Sequence, residues 1–125
     1  MVAQAGKIKL EDFSFDCIVG TLPEERDVPQ LLVLDVEFEL DFSKAARSEA
    51  LQDTVDYANL SGALQNFITA SKFQLLETLV WKAAEFLLTY DQRILSATVK
   101  ARKPRALPRA TVSAKVTLTK EKSAS

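Results

Sequence analysis

The strict alternation of apolar and polar side chains between residues 32 and 42 constrains this fold more than any other sequence feature. Successive side chains of a strand point to opposite faces, so the segment predicts a strand with one buried face and one acidic face. The apolar positions are Leu32, Leu34, Val36, Phe38, Leu40 and Phe42, and the acidic positions are Asp35, Glu37, Glu39 and Asp41.

Three further segments alternate with the same two-residue period, at 8–19, 95–101 and 112–118. The first of them changes phase at Glu11 and Asp12, which predicts a strand with a β-bulge. Residues 20–28 contain Pro23 and a run of charged residues, which predicts a loop.

Two segments in the middle of the chain have the period of amphipathic helices. One begins at Tyr57, with Asp56 as its predicted N-cap, and the other covers 75–88. A short helical turn is predicted at 43–48. The resulting order, β-β-α-α-β-β, predicts an α+β fold in which a four-stranded antiparallel sheet has two helices on one face.

The distribution of charge fits that layer. Half of the 16 basic residues lie between Lys100 and Lys122, whereas the first half of the chain is acidic. Pairing of the acidic row of strand two with basic rows of strands three and four explains this asymmetry, and a phosphate-binding surface is the alternative. The layer also leaves two open sheet edges, the long second strand among them, which a closed ring of subunits would cover.

Composition limits the classes of partner and the location. The 125 residues suit one domain, 1–125, with 121–125 as a disordered tail. A net charge of −1 predicts no attraction to nucleic acid or anionic lipid. Cys17 has no partner for a disulfide, and no apolar run suits a signal peptide or a membrane span. We therefore expect a cytoplasmic protein without nucleic-acid or membrane partners.

The chain has no histidine, which removes several kinds of active site. Neither a Ser-His-Asp nor a Cys-His site can form. With one cysteine and no carboxylate cluster at ligand spacing, no metal site is predicted. Three glycines cannot supply a phosphate-binding loop or a dinucleotide fingerprint.

Four side chains remain as candidates for chemistry, each with an ordinary structural alternative. Glu77 lies on a largely apolar helix flank and could bind paired N–H donors, or it complements the helix dipole. Lys103 has the strand parity of buried residues and could exchange protons, or it extends towards solvent. Tyr57 could stack on a ring and transfer a proton, or it closes the helix start. The pattern around Glu25 favours a solvated loop charge.

Four motifs in one order then suggest a family. They are Gly20 followed by Glu25, Thr54-Val55-Asp56-Tyr57, Leu75-Leu76-Glu77 and Lys103-Pro104. From about Ile8 to about Leu118 the chain resembles dihydroneopterin aldolase, an enzyme family of folate biosynthesis. The resemblance implies the tunnelling fold, assembled into tetrameric rings that stack into octamers, with active sites between subunits and no cofactor.

The same resemblance implies a role for each candidate. Glu77 and the backbone of Leu76 would hold the aminopyrimidinone edge of a pterin, with Val55 also in the binding set. Lys103 would be the general acid–base of a retro-aldol cleavage, acting through a bound water. Tyr57, from the neighbouring subunit, would assist protonation of the enol, and Glu25 would hold the hydroxylated side chain. The products would be 6-hydroxymethyl-7,8-dihydropterin and glycolaldehyde, formed without a metal or a Schiff base.

Other functions stay open at this point. Dihydroneopterin triphosphate epimerase shares the fold, the loop glutamate and the Leu-Leu-Glu segment, and Arg102, Arg105 and Arg109 could meet a triphosphate. Ile18-Val19 also replaces an aromatic pair, such as Tyr-His, that precedes the loop glycine in many aldolases. A non-catalytic pterin- or purine-binding protein and a ring-forming subunit without a ligand are the remaining alternatives.

Overall fold

The computed structural model describes residues 5–120, which form one sheet with helices packed on it. The strands are β1 (Ala5–Cys17), β2 (Gln30–Asp41), β3 (Ser96–Lys103) and β4 (Val112–Thr119). The helices are α1 (Pro23–Asp27), α2 (Ser43–Ser48), α3 (Tyr57–Ser71) and α4 (Leu76–Tyr90), with a 3-10 helical turn at Leu51–Asp53. The predicted order of long elements, β-β-α-α-β-β, is confirmed.

The apolar face of the sheet and the two long helices form one core. The alternating positions of β2 from Leu32 to Leu40 are buried, as predicted, and Ala97, Val99 and Ala101 of β3 are buried beside them. Helix α3 contributes Leu60, Leu64 and Ile68, and α4 contributes Leu76, Leu79, Val80, Ala83, Ala84 and Leu87. Among residues 5–120, no helix is long and apolar enough to cross a membrane.

The two predicted local features of the long elements are confirmed. The pairing register of β1 with β2 shifts between Leu10 and Phe13, and Asp12 there has a φ of 55°. The Asp56 carboxylate accepts hydrogen bonds from the backbone N–H groups of Ala58 (3.0 Å) and Asn59 (3.3 Å). The bulge and the N-cap therefore lie where the sequence places them.

The prediction that the second strand lies at a sheet edge is wrong. The strand order is β1-β2-β3-β4, so the edges are β1 and β4 and β2 is central. The reason is that the chain returns from the helical pair to place β3 on the free side of β2, which joins the two hairpins into one sheet. The sequence pattern fixed the strand faces and left their lateral order open.

The prediction of a loop throughout 20–28 is also wrong, because Pro23–Asp27 forms helix α1. Proline at the first position of a helix has the φ angle that a helix needs and lacks only an N–H that would be unpaired there. Glu24 and Glu25 in the first turn and Arg26 in the last turn complement the helix dipole. A proline and several charged residues are also typical of a loop, so these helix signals were not recognised in the sequence.

The polar sheet face pairs its charges in a way that the sequence predicts only in part. The Nη2 atom of Arg102 in β3 lies 3.4 Å from Oδ2 of Asp35 in β2, as predicted. However, Nζ of Lys7 in β1 lies 3.8 Å from Oε1 of Glu37 and 3.9 Å from Oε1 of Glu39. The acidic side chains of β2 therefore form ion pairs with basic side chains of both neighbouring strands, β1 and β3. The segment 121–125, predicted to be disordered, lies outside the described residues.

Candidate active site

Lys103, the last residue of β3, makes a shielded ion pair with Glu25. Its Nζ donates a hydrogen bond to Glu25 Oε2 at 3.0 Å, and the two side chains are only 13% and 15% exposed. Because Lys103 follows Ala97, Val99 and Ala101 on the buried face, its ammonium meets the underside of α1 instead of extending into solvent. A charge-assisted hydrogen bond in such a place is stronger than one at the surface.

The Glu25 carboxylate is held by further donors. Gln30 Nε2 donates to Oε2 at 2.8 Å, and the backbone N–H of Leu22 donates to Oε1 at 3.3 Å. Gln30 is itself fixed by a 2.8 Å hydrogen bond to the Val19 carbonyl. Burial raises the pKa of Glu25, but the hydrogen bonds from Gln30, Lys103 and Leu22 outweigh it and hold the pKa below its ordinary value.

Gly20 gives this carboxylate its space. Its φ is +125°, a conformation that favours glycine, and a Cβ at this position would overlap the Glu25 carboxyl group. Only four residues lie between the two positions, and the short helix α1, which begins among them, folds the chain back over Gly20. The Gly-x-x-x-x-Glu motif therefore has a physical reason: the Glu25 carboxylate packs directly against the Gly20 backbone, where a side chain would overlap it.

A cavity of about 200 Å³ adjoins the ion pair. Leu76 and Glu77, the first two residues of α4, line it together with Glu25 and Lys103, and residues at the start of β4 complete the lining. Leu76 is buried, whereas the Glu77 side chain is exposed. The first N–H groups of a helix have no partner within the helix, so this wall offers both backbone donors and a carboxylate to a ligand.

Two other predicted site residues lie away from this cavity. Tyr57, the first residue of α3, is 59% exposed, and Val55 is buried in the core; neither lines the cavity. Helix α3 has 15 residues, which span roughly 22 Å at the rise of an α-helix. Its far end adjoins the cavity, because the N–H of Gly20 donates to the carbonyl of Phe73 at 3.1 Å.

Arg93 fixes the segment that leads to Val55 and Tyr57. Its guanidinium donates to the carbonyls of Gln52 at 3.0 Å and Thr54 at 2.8 Å, and it pairs with Asp91 at 2.7 Å. Arg93 lies just before β3, whereas Lys103 ends that strand. We call the region around Gly20, Glu25, Leu76, Glu77 and Lys103 the lysine end, and the region around Val55, Tyr57 and Arg93 the tyrosine end.

The thiol of Cys17 is buried and therefore poorly placed to act as a nucleophile. Burial, together with the nearby Asp16 charge, raises the pKa of the Cys17 thiol to about 11, which disfavours a nucleophilic thiolate. Within the described part of the chain, no three histidine, cysteine or acidic side chains are grouped so as to hold a metal ion.

The chain is similar to known proteins along most of its length. The FolB dihydroneopterin aldolase family model matches residues 8–119. Dihydroneopterin aldolase of Bacillus subtilis is 32% identical over 98 residues, which cover 78% of this chain and 82% of that protein. The corresponding Escherichia coli K12 protein is 31% identical over 103 residues, which cover 81% and 82%.

A solved structure agrees with the sequence comparisons. The crystal structure of Escherichia coli dihydroneopterin aldolase in complex with neopterin matches with a TM-score of 0.85 at 27% identity. The match covers 90% of this chain and 98% of that one. The chain belongs to the dihydroneopterin aldolase family. The predicted tunnelling fold is confirmed, and the activity is that of the family: an aldolase, hence a lyase, of folate biosynthesis.

The residues of this candidate site were predictable from the sequence to different degrees. The pattern favoured a solvated Glu25, which is wrong, because Lys103 pairs with it from 78 positions away. Glu77 is exposed in the first turn of α4, as its helix-dipole reading predicts. Sequence reasoning missed Gln30 and Arg26 as parts of the site, because Gln30 lies beyond α1 at the start of β2 and Arg26 donates to backbone carbonyls.

Proposed function

We propose that the lysine end binds 7,8-dihydroneopterin and cleaves it to 6-hydroxymethyl-7,8-dihydropterin and glycolaldehyde. The observation that carries the proposal is the shielded Lys103–Glu25 ion pair in the lining of a cavity that Leu76 and Glu77 also line. The same cavity thus presents a charged Lys–Glu pair, a second carboxylate and helix N–H groups, which suits a planar ring with a reactive side chain.

Glu77 and the backbone of Leu76 hold the ring. The aminopyrimidinone edge of a pterin presents adjacent N–H donors, which match a carboxylate, and a carbonyl, which matches a backbone N–H. The exposed Glu77 side chain is free to turn towards that edge. The neopterin complex of the Escherichia coli relative supports a pterin as the ligand class.

The ion pair then moves the protons. The lowered Glu25 pKa keeps that carboxylate ionised beside Lys103 Nζ. In the proposed cleavage, Lys103 first gives a proton to N5 of the ring. The resulting amine takes the proton of the 2′-hydroxyl as the C1′–C2′ bond breaks. The bond's electron pair moves into the C6–N5 imine, which leaves an enol and free glycolaldehyde.

The second half of the reaction returns the enzyme to its starting state. Lys103, assisted by Tyr57, protonates C1′ of the enol, and the proton on N5 returns to the amine. Glu25 keeps the charge of the pair balanced and orients the substrate hydroxyl groups. Each proton taken up in one step is released in the next, so no cofactor is needed to close the cycle.

Tyr57 and Val55 join this site from a neighbouring subunit. The roughly 22 Å of α3 between Tyr57 and the lysine end is too long for one chain to bring them together. Edge strands β1 and β4 offer unpaired backbone groups through which chains can join into a ring. We infer a ring of four chains, and we infer that two such rings stack into an octamer. Each chain is one domain over 1–125.

A triphosphorylated substrate with epimerisation at C2′ is the second candidate. A cavity of about 380 Å³ on the other side of Glu25 is lined by Arg105 and could accept a charged tail. Arg102, in contrast, is engaged with Asp12 and Asp35 on the polar sheet face. We place either reaction in the cytoplasm, where the buried thiol of Cys17 remains reduced.

The test is turnover of 7,8-dihydroneopterin by the purified protein, with hydroxymethyl product and 2′ epimer separated by chromatography. We expect product from the wild type, a loss of kcat on the order of 10² to 10⁴ in Lys103→Ala, and retained binding of pterin in that variant. Lys100→Ala is the matched control, since Lys100 lies on the same strand but on the polar face.

Three outcomes would contradict the assignment. Near-normal turnover by Lys103→Ala would remove the acid–base role of Lys103. Unchanged pterin affinity in Glu77→Ala would remove the pocket. Turnover confined to the triphosphate, with epimer as product, would replace the aldolase by the epimerase.

A further inference from the structure

Helix α1 directs two charged side chains to two different parts of the site. Glu25 faces Lys103, whereas the next residue, Arg26, faces the turn between α3 and α4. Its Nη1 donates to the carbonyls of Gly20 at 3.1 Å and Phe73 at 3.3 Å, and its Nη2 donates to the carbonyl of Lys72 at 3.0 Å. One partly buried guanidinium therefore joins three backbone carbonyls.

The backbone carbonyls in the turn that Arg26 contacts need hydrogen-bond donors from outside α3. Lys72 is the C-cap of α3, with a left-handed φ of 49°, and the last carbonyls of a helix have no partner within it. These carbonyls also form the negative end of the helix dipole, which a cation stabilises. The planar fork of arginine can serve several carbonyls at once, whereas a lysine ammonium acts as a point charge.

The same turn leads directly into the ring-binding wall of the cavity. Leu76 begins α4 three residues after Phe73, and Glu77 follows it. Phe73 O also accepts the 3.1 Å hydrogen bond from the N–H of Gly20, the residue on which Glu25 lies. Arg26 and Gly20 thus join the wall that holds Glu77 to the wall that holds Glu25.

We propose that Arg26 is a positioning residue that sets the distance between the ring-binding wall and the Lys103–Glu25 pair. This inference rests on the proposed function, since it concerns the placement of the same substrate. In the proposed site the ring is held by Glu77, the backbone of Leu76 and the tyrosine end, and Arg26 donates to none of these, so we expect the affinity for the ring to change little without it. Cleavage depends on both walls, and a displacement of about 1 Å can cost on the order of 10²-fold in rate.

The experiment compares Arg26→Gln and Arg26→Lys with the wild type in two measurements. One is kcat for 7,8-dihydroneopterin, and the other is the Kd of unsubstituted pterin, a ring without the reactive side chain. We expect Arg26→Gln to lose between about 10- and 100-fold in kcat while the Kd changes less than about threefold. Arg26→Lys should lie between the two, because it keeps the charge but loses the fork.

Arg47→Gln is the matched control, since Arg47 is an exposed arginine in the last turn of another short helix, α2, and we expect wild-type values. The inference is overturned if both Arg26 variants keep kcat within about twofold of the wild type. A pterin affinity that falls in step with kcat also overturns it, because Arg26 would then only maintain the fold of the turn. Failure of the proposed function looks different: the wild type itself would neither cleave dihydroneopterin nor bind pterin.

Discussion

The lysine end and the tyrosine end of this molecule differ in how complete their chemistry is. At the lysine end, Lys103, Glu25 and Gln30 satisfy one another around a cavity. At the tyrosine end, Arg93 donates to two backbone carbonyls, but Tyr57 is 59% exposed and has no side-chain hydrogen bond within residues 5–120. Each end holds a charged pair, but the Lys103–Glu25 side chains are only 13% and 15% exposed, whereas those of Arg93 and Asp91 are 42% and 20% exposed.

The difference teaches that rigidity and chemical completeness are separate properties. An exposed tyrosine at a helix start that is held by hydrogen bonds can contact a ligand or a second chain without rearrangement of its own backbone. The strand between the two ends gives the same separation as α3, since the eight residues of β3 span roughly 23 Å. Under the proposed function, the two ends are halves of one site that meet when chains assemble.

Mixing two inactive variants tests this comparison most strongly. Lys103→Ala spoils only lysine ends, and Tyr57→Ala spoils only tyrosine ends. If each site takes one end from each of two chains, an equal mixture assembled at random should regain about a quarter of wild-type activity. The measurement is hydroxymethyl product formed after the two chains are co-expressed and purified together.

The matched control mixes Lys103→Ala with Glu77→Ala, two changes at the same end. No chain then offers an intact lysine end, so this mixture should stay inactive. Recovery in both mixtures, or in neither, would contradict the division of the site between ends.

A substitution at Gly20 should damage the lysine end through the backbone. Gly20→Ala combines a φ of +125° with overlap between the new Cβ and the Glu25 carboxyl group. We expect the free energy of unfolding to fall by about 1–3 kcal/mol, with a loss of kcat because Glu25 is displaced from Lys103. Urea unfolding and turnover measure the two effects.

Gly62→Ala is the control, because a Cβ there meets no atom within 4 Å and Gly62 lies inside α3. Alanine is the better helix former, so that variant should gain about 0.5–1 kcal/mol and keep its activity. Equal stability of the two variants would refute the account of Gly20.

The smallest expected effect is a change in the pH dependence of stability. The Glu25 pKa is lowered in the folded state, so its contribution is present above the ordinary value of 4.5 and is lost as the pH falls through the lower folded value. Below pH 4.5, the free energy of unfolding should therefore fall more steeply for the wild type than for Glu25→Gln. Urea titrations across that range make the comparison, and parallel curves would show that the pair does not lower this pKa.

Periodicity predicted the faces of the elements well and their arrangement less well. The β2 alternation, the bulge near Asp12 and the cap at Asp56 are local features, since each depends on residues a few positions apart. The central place of β2 depends on how the chain returns after α4, and no local pattern encodes it. Helix α1 was missed because a five-residue helix has no room for an apolar period.

The sequence predicted the parts of the site that depend on side-chain identity, but it did not predict the contacts that side chains make with backbone carbonyls. The motif resemblance singled out Glu25 and Lys103, which the structure brings into contact. Arg26 binds only carbonyl oxygens, and a carbonyl has no identity in the sequence. Such partners become visible only once the chain is folded.

The connection between β1 and β2 has a consequence for engineering this chain. Its surface residues Leu22 and Val28 are more than half exposed, and exposed connections ordinarily tolerate insertions and tags. Here, however, one short helix carries both Glu25 and Arg26 in fixed directions. The length of this connection is therefore as strictly determined as that of a core strand, and a single inserted residue would turn one of the two side chains away from its target.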